Sequence, residues 1–240
     1  MKMKKALLLL TLAAMMLLMS CSRVAAGINE AVTHENLSVR ITDVFGDENN
    51  AYILLEAKMA DTESVTNGRL NTALVDAKAA GGYSFSLIGR NEEAHTQTYL
   101  VTVSGEKRLT DKKMGVSLSD YRSEENPMEH LIEAGTEWTF AFTYKPEAAT
   151  ASKSFDDRAV TAIRLYGNVL VITPKNADAS DSIKASGLTI TDASGAALEP
   201  VLCSADEARC YLSEIVYVFD PAVAQNIASV TVGETLYSLT

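Results

Sequence analysis

Between Gly135 and Pro146 the sequence alternates without interruption, with Trp138, Phe140, Phe142 and Tyr144 on one side and Thr139, Ala141, Thr143 and Lys145 on the other. A period of two suits only a strand with one buried face, and Pro146, which has no N–H to give a ladder, ends it. The four rings could form a sugar-stacking platform. A core stripe fits better, because burying each ring contributes about 1.5 to 3 kcal/mol. The same period recurs upstream: Leu37, Val39 and Ile41 oppose Ser38, Arg40 and Thr42, and Ala51, Ile53, Leu55, Ala57 and Met59 oppose Tyr52, Leu54, Glu56 and Lys58. Tyr83, Phe85 and Leu87, then Tyr99, Val101 and Val103, continue it, and Val116 with Leu118 mark a shorter strand. The predicted class is therefore all-β, built of sandwiches.

Turn chemistry joins these runs. Gly46-Asp47-Glu48-Asn49-Asn50 closes a first hairpin; it lacks the ligand spacing and distant glutamate of a calcium loop, so a solvated turn is expected. Gly89-Arg90-Asn91-Glu92-Glu93 closes a second. Within residues 60–82 Leu70, Leu74 and Val75 allow either a short helix or another strand before Gly81-Gly82, and a long connection with a strand at Ala73 to Ala77 is expected; residues 126–132 suit one helical turn with Pro127 near its start. The small, polar, aperiodic stretch 147–154 reads as a linker, which separates a first sandwich over 36–146 from a second over 155–240. In the second, strands are expected at Thr161 to Tyr166, Val169 to Thr173, Leu188 to Thr191, Val201 to Cys203, Tyr211 to Phe219 and Val230 to Leu239. Asp192-Ala193-Ser194-Gly195 is a tight turn.

The N-terminus has another character. Lys2, Lys4 and Lys5 precede an apolar run from Ala6 to Met19, too short for the roughly 20 residues that span a bilayer and of the form of an export signal. Leu18-Met19-Ser20-Cys21 then resembles a bacterial lipobox, with Met19 as the departure from its pattern. That resemblance implies cleavage after residue 20, acylation of Cys21 and a tether over 21–35. The membrane is then a partner through acyl chains, two or three of which hold firmly at about 0.8 kcal/mol per buried methylene. The protein would sit on the extracytoplasmic face of the cell membrane. Val24-Ala25-Ala26 also fits an ordinary signal-peptidase site, which would discard Cys21 and release the chain.

Loss of residues 1–20, which carry three lysines and no acid, takes the formal charge from -10 to -13. So acidic a chain is no partner for nucleic acid, whose phosphates require concentrated Lys and Arg. Glu106-Lys107-Arg108 and Asp111-Lys112-Lys113 do gather cations, and could contact wall polymers or lipid headgroups. The interleaved acids favour a charged turn that keeps an edge strand soluble. With Cys21 taken by the lipobox, Cys203 and Cys210 remain as a pair flanking a six-residue polar run, and a disulfide across that loop would stabilise by roughly 2 to 3 kcal/mol. Their spacing is not that of a C-x-x-C redox motif. His34, His95 and His130 lie far apart, with no HExxH, GxSxG or phosphate-cradling glycine loop. No catalytic residue, metal ligand or cofactor is assigned.

Several features together resemble the paired immunoglobulin-like domains of unknown function in the extracellular part of anti-sigma-factor-like membrane proteins of Gram-positive bacteria. They are the opening strand pair Leu37 to Met59, Gly135-x-x-Trp138-x-Phe140, Val171-Ile172-Thr173-Pro174, Asp192-x-x-Gly195-x-x-Leu198, and Ser229-Val230-Thr231-Val232-Gly233-Glu234. The resemblance implies two immunoglobulin-like β-sandwiches in tandem. A lipobox-like leader stands where that family has its sigma-binding segment and membrane helix, so anti-sigma activity does not follow. The expected function is a non-catalytic, lipid-anchored binding or sensory module with an envelope protein partner. A structural spacer or adhesin-like protein, or a hydrolase whose site is not visible in sequence, are the alternatives.

Overall fold

The computed structural model describes residues 26–204 and 214–239. The protein is all-β, two antiparallel sandwiches in tandem, each a five-stranded sheet packed on a three-stranded one. In the first sandwich β1 (Ala31–His34), β2 (Leu37–Gly46), β3 (Asn50–Met59), β6 (Thr96–Gly105) and β5 (Ala80–Asn91) form the large sheet in that spatial order. The small sheet is β4 (Gly68–Asp76), β7 (Lys113–Ser123) and β8 (Glu137–Thr143). Both expected hairpins are present, with Gly46 opposite Ala51 and Leu87 opposite Tyr99.

The alternating residues of β2, β3 and β6 meet those of β7 and β8 in one core. Trp138, Phe140 and Tyr144 are fully buried in it and Phe142 packs at its margin, so the aromatic row is a core stripe. The stretch 60–82 is more ordered than a connection. Helix α1 (Thr62–Asn67) begins where the Asp61 carboxylate accepts from Ser64 N, and β4 extends well beyond the Ala73 to Ala77 expected. The helical turn expected at residues 126–132 does not form. That segment is a turn, closed by Glu129 N donating to Asn126 O, and His130 bridges Arg122.

The tether also ends earlier than expected. Ala26 is 9% exposed and pairs in parallel with Phe140, donating to Thr139 O and accepting from Ala141 N; Asn29 N bonds Ile41 O, and β1 pairs with β2. Residues 26–34 thus belong to the first sandwich.

In the second sandwich the large sheet runs β13 (Leu202–Cys203), β14 (Ile215–Val218), β11 (Val169–Pro174), β10 (Val160–Tyr166), β9 (Ala151–Ser154). The small sheet is β12 (Leu188–Thr191), β15 (Ser229–Val232) and β16 (Thr235–Ser238). β9 falls inside the presumed linker, so only residues 147–150 link. The single strand expected from Val230 to Leu239 is a hairpin, turned at Gly233-Glu234 with Gly233 at φ 58°. Two short helices, α2 (Ala177–Ser186) and α3 (Pro221–Ala224), complete the domain. The strand expected at Tyr211 to Phe219 is described only from Glu214, and holds strand geometry over Ile215–Val218.

The two sandwiches dock large sheet to large sheet, making four sheet layers with a third core between the middle two. Phe45, Tyr52, Leu54, Ile88 and Leu100 from the first meet Tyr166, Val169, Val171 and Val216 from the second, all buried. Two β-bulges help load this seam. Ile41 pairs with Leu55 but Asp43 with Leu54, so Thr42 is the extra residue and donates to Leu54 O. The slip returns Val44 to the sandwich core and turns Phe45 outward. A second slip between Leu87 and Gly89 likewise places Ile88 in the seam.

Candidate functional site

The residues singled out in the sequence do not converge. Cys21 and Cys210 lie outside the described residues. Cys203 is buried on β13, opposite Tyr217 of β14. His34 and Trp138 form a T-shaped pair with ring centroids 5.7 Å apart, His95 Nε2 is 3.1 Å from Thr62 Oγ1, and His130 Nδ1 is 3.9 Å from Asp120. Among the described residues no three His, Cys, Asp or Glu side chains group to hold a metal. The Asp47 carboxylate, in the turn weighed as a calcium loop, accepts from Asn49 N and Asn50 N and so shapes its own turn.

What the fold does assemble is the end of the first sandwich at which the β2–β3 turn, the β4–β5 loop and the β6–β7 loop meet. The last of these crosses from the large sheet to the small one between two inner strands, so the charged turn protects no edge strand, contrary to expectation. Backbone bonds stitch the loops together: Gly105 N to Asn49 O and Leu109 N to Glu48 O at 2.7 Å, and Glu106 N to Ala79 O at 2.9 Å. Leu109 plugs the core beneath. Tyr144 O accepts from Asp111 N, and the Tyr144 hydroxyl donates to Asp47 O and Asn50 O. Burial, with the Asp47 carboxylate beside it, pushes that phenol's pKa upward, so it remains a donor at any ordinary pH.

On this frame Lys78, Lys107, Arg108 and Lys112 surround a cleft of about 400 Å³ floored by Ala79 and Thr110. Lys78 joins from the β4–β5 loop, some thirty residues before the others, which is why the sequence showed only part of the cluster. Arg108 pairs with Glu48 at 2.8 Å, both exposed. Among the described residues no carboxylate pairs with Lys78, Lys107 or Lys112, and the buried Thr110 hydroxyl has no hydrogen-bond partner. Uncompensated cations over an unsatisfied hydroxyl are arranged to receive an anion.

Two other features have structural work. At the opposite end of the same sandwich Asp61, Glu63, Glu125 and Glu129 line a cleft of about 370 Å³. There the bonds from Ser64 hold the Asp61 carboxyl below its usual range, as suits a helix cap. At the seam, Arg164 donates to Thr173 Oγ1, which donates to Glu214 Oε1 at 3.1 Å, and the Tyr52 hydroxyl donates to the same carboxylate.

No family model matches the chain, and no curated protein matches it either. Among solved structures it is similar to a conserved domain protein from Bacillus anthracis, at 12% identity and a TM-score of 0.45, over 86% of this chain and 76% of that one. It is also similar to the GAE domain of yeast GGA1, at 9% identity and a TM-score of 0.25 over 48% of this chain and 97% of that one. The GAE domain of GGA2p from Saccharomyces cerevisiae gives 12%, 0.25, 49% and 97% in the same order. Likeness at this level carries no argument about function, and the fold assignment rests on the sheets themselves.

Proposed function

We propose that the protein is a lipid-anchored, non-catalytic binding module on the extracytoplasmic face of the cell membrane, a lipoprotein counterpart of the paired ectodomains it resembles. The observation that carries this reading is Ala26. Cleavage after it would strip a buried residue and two backbone hydrogen bonds from the edge of β8, whereas processing at Cys21 leaves the sandwich whole. Along the chain, residues 21–25 then separate the acylated end from Ala26. Fully extended they reach about 17 Å, so the first sandwich stands close to the bilayer. Partners meet the loop ends of the sandwich or a free edge such as β16, where Leu236 is 64% exposed. Within the same proposal Cys203 and Cys210 are bonded, as export to an oxidising compartment favours.

Detergent partition of the protein from its native envelope tests the anchor. The wild type is expected in the detergent phase and Cys21→Ser in the aqueous phase. A mature chain beginning at Gly27, or a wild type found in the aqueous phase, refutes it. The denatured, unreduced wild type should show no titratable thiol.

A further inference from the structure

We propose that the cleft between the β4–β5 and β6–β7 loops binds a phosphate ester, an oxyanion carried on an uncharged body. It gives the binding module a ligand class and depends on that reading only for where the ligand is met. Charge is the first argument. The chain has 31 acids against 21 Lys and Arg, yet three lysines converge here with no carboxylate paired to them among the described residues. Mutual repulsion of these ammonium groups opposes the arrangement, and an anion between them reverses that term. Of the acids beside the cleft, Glu48 is held by Arg108, while Glu106 packs over Gly81 and, like Asp111, forms an ion pair with none of the three lysines.

Hydrogen bonding is the second argument. Thr110 Oγ1 is buried in the floor without a partner, and a hydroxyl so placed costs about 1 to 3 kcal/mol unless a ligand completes it. Rotation of the partly exposed Thr110 side chain about χ1 turns that hydroxyl into the cleft, where an ester oxygen can accept from it while the lysines take the charged oxygens. Most of the surface lining the cleft is carbon, which suits an ester with a body to bury better than bare phosphate. The loops are tied by the backbone bonds at Ala79, Glu48 and Asn49, so little ordering is required on binding.

Calorimetric titration of the full chain in neutral detergent micelles tests this. Glycerol 3-phosphate is expected to bind saturably, to weaken with added salt, and to have no counterpart in glycerol. The double variant Lys78→Gln/Lys112→Gln should weaken binding at least about tenfold, equivalent to about 1.4 kcal/mol, and Thr110→Val by a smaller factor. Lys58→Gln/Lys175→Gln, remote from the cleft, should bind as wild type. A second arm uses micelles doped with phosphatidylglycerol: a response lost in the same variants identifies a headgroup as the source, and its absence beside ester binding identifies a soluble or polymer-borne ester. The proposal is overturned if neither arm shows saturable binding, or if the cleft variants and the remote pair behave alike while all melt as wild type. The anchor could fail its partition test with this result intact.

Discussion

Trp138 is fully buried, with the His34 ring in T-shaped contact with it, so its replacement leaves a void that the two sheets cannot close. Trp138→Ala should destabilise the first sandwich by about 3 to 5 kcal/mol, read as a lowered denaturant midpoint; an unchanged midpoint would contradict the core assignment. The turn that Gly46 opens demands glycine on two counts, one local, at Asn50, and one from a residue far off in sequence, Tyr144. Gly46 sits at φ 134°, and a Cβ there would lie 2.1 Å from Asn50 O and 2.8 Å from the Tyr144 hydroxyl. Gly46→Ala should cost about 1 to 3 kcal/mol and loosen the β2–β3 turn, detectable as faster amide exchange at Asn50. Lys78 was illegible for a related reason: nothing local links it to Lys107 and Lys112 until β4 and β5 bring its loop alongside theirs.

Among the elements, strands with a one-sided core were legible and those whose periodicity changes partway were not. A bulge at Thr42 reverses the phase of β2, so Phe45 leaves the face that Leu37, Val39 and Ile41 share. Simple alternation cannot announce that. Helix α2 is hard to see because, among its described side chains, Ile183 is the deeply buried apolar one and no helical period builds up; its signal is the cap, Asn176 accepting from Ala179 N, with Gly187 just beyond the end. The N-terminal segment looks like a tether in sequence because Ala26 contributes to the sheet through its backbone, which composition does not reveal. A chain starting at Gly27 should be less stable than one starting at Ser22 by about 1 to 3 kcal/mol, for two lost hydrogen bonds at about 0.5 to 1.5 kcal/mol each. Paired thermal melts decide this, and identical melting of the two chains would weaken the case for processing at Cys21.

The behaviour of the whole molecule depends on the seam between the sandwiches. Tyr52 and Leu54 stood in the sequence on the face opposite the core of β3, beside Glu56 and Lys58, and that mixed face gave no reason to expect a second burial. In the fold Phe45, Tyr52 and Tyr166 cluster with ring centroids 5.3 to 6.1 Å apart, and Glu214 lies at their edge. Burial raises the Glu214 pKa, with the Asp47 carboxylate adding to the shift, while bonds from Tyr52 and Thr173 and the charge of Arg164 act the other way without cancelling it. Tyr166 beside it is pushed up to about 12 and stays neutral. A raised carboxyl pKa means that the docked state holds the proton more tightly than the unfolded chain. The resulting stability is complete below the ordinary carboxylate range and is lost as pH rises through the docked-state value. Glu214→Gln mimics the protonated form at every pH. Melts of the two proteins should therefore coincide near about pH 4 and separate toward about pH 8, with the Gln variant the more stable. Curves that stay parallel across that range would show that Glu214 ionises in the seam without penalty, and would leave its apolar side chains alone to hold the sandwiches together.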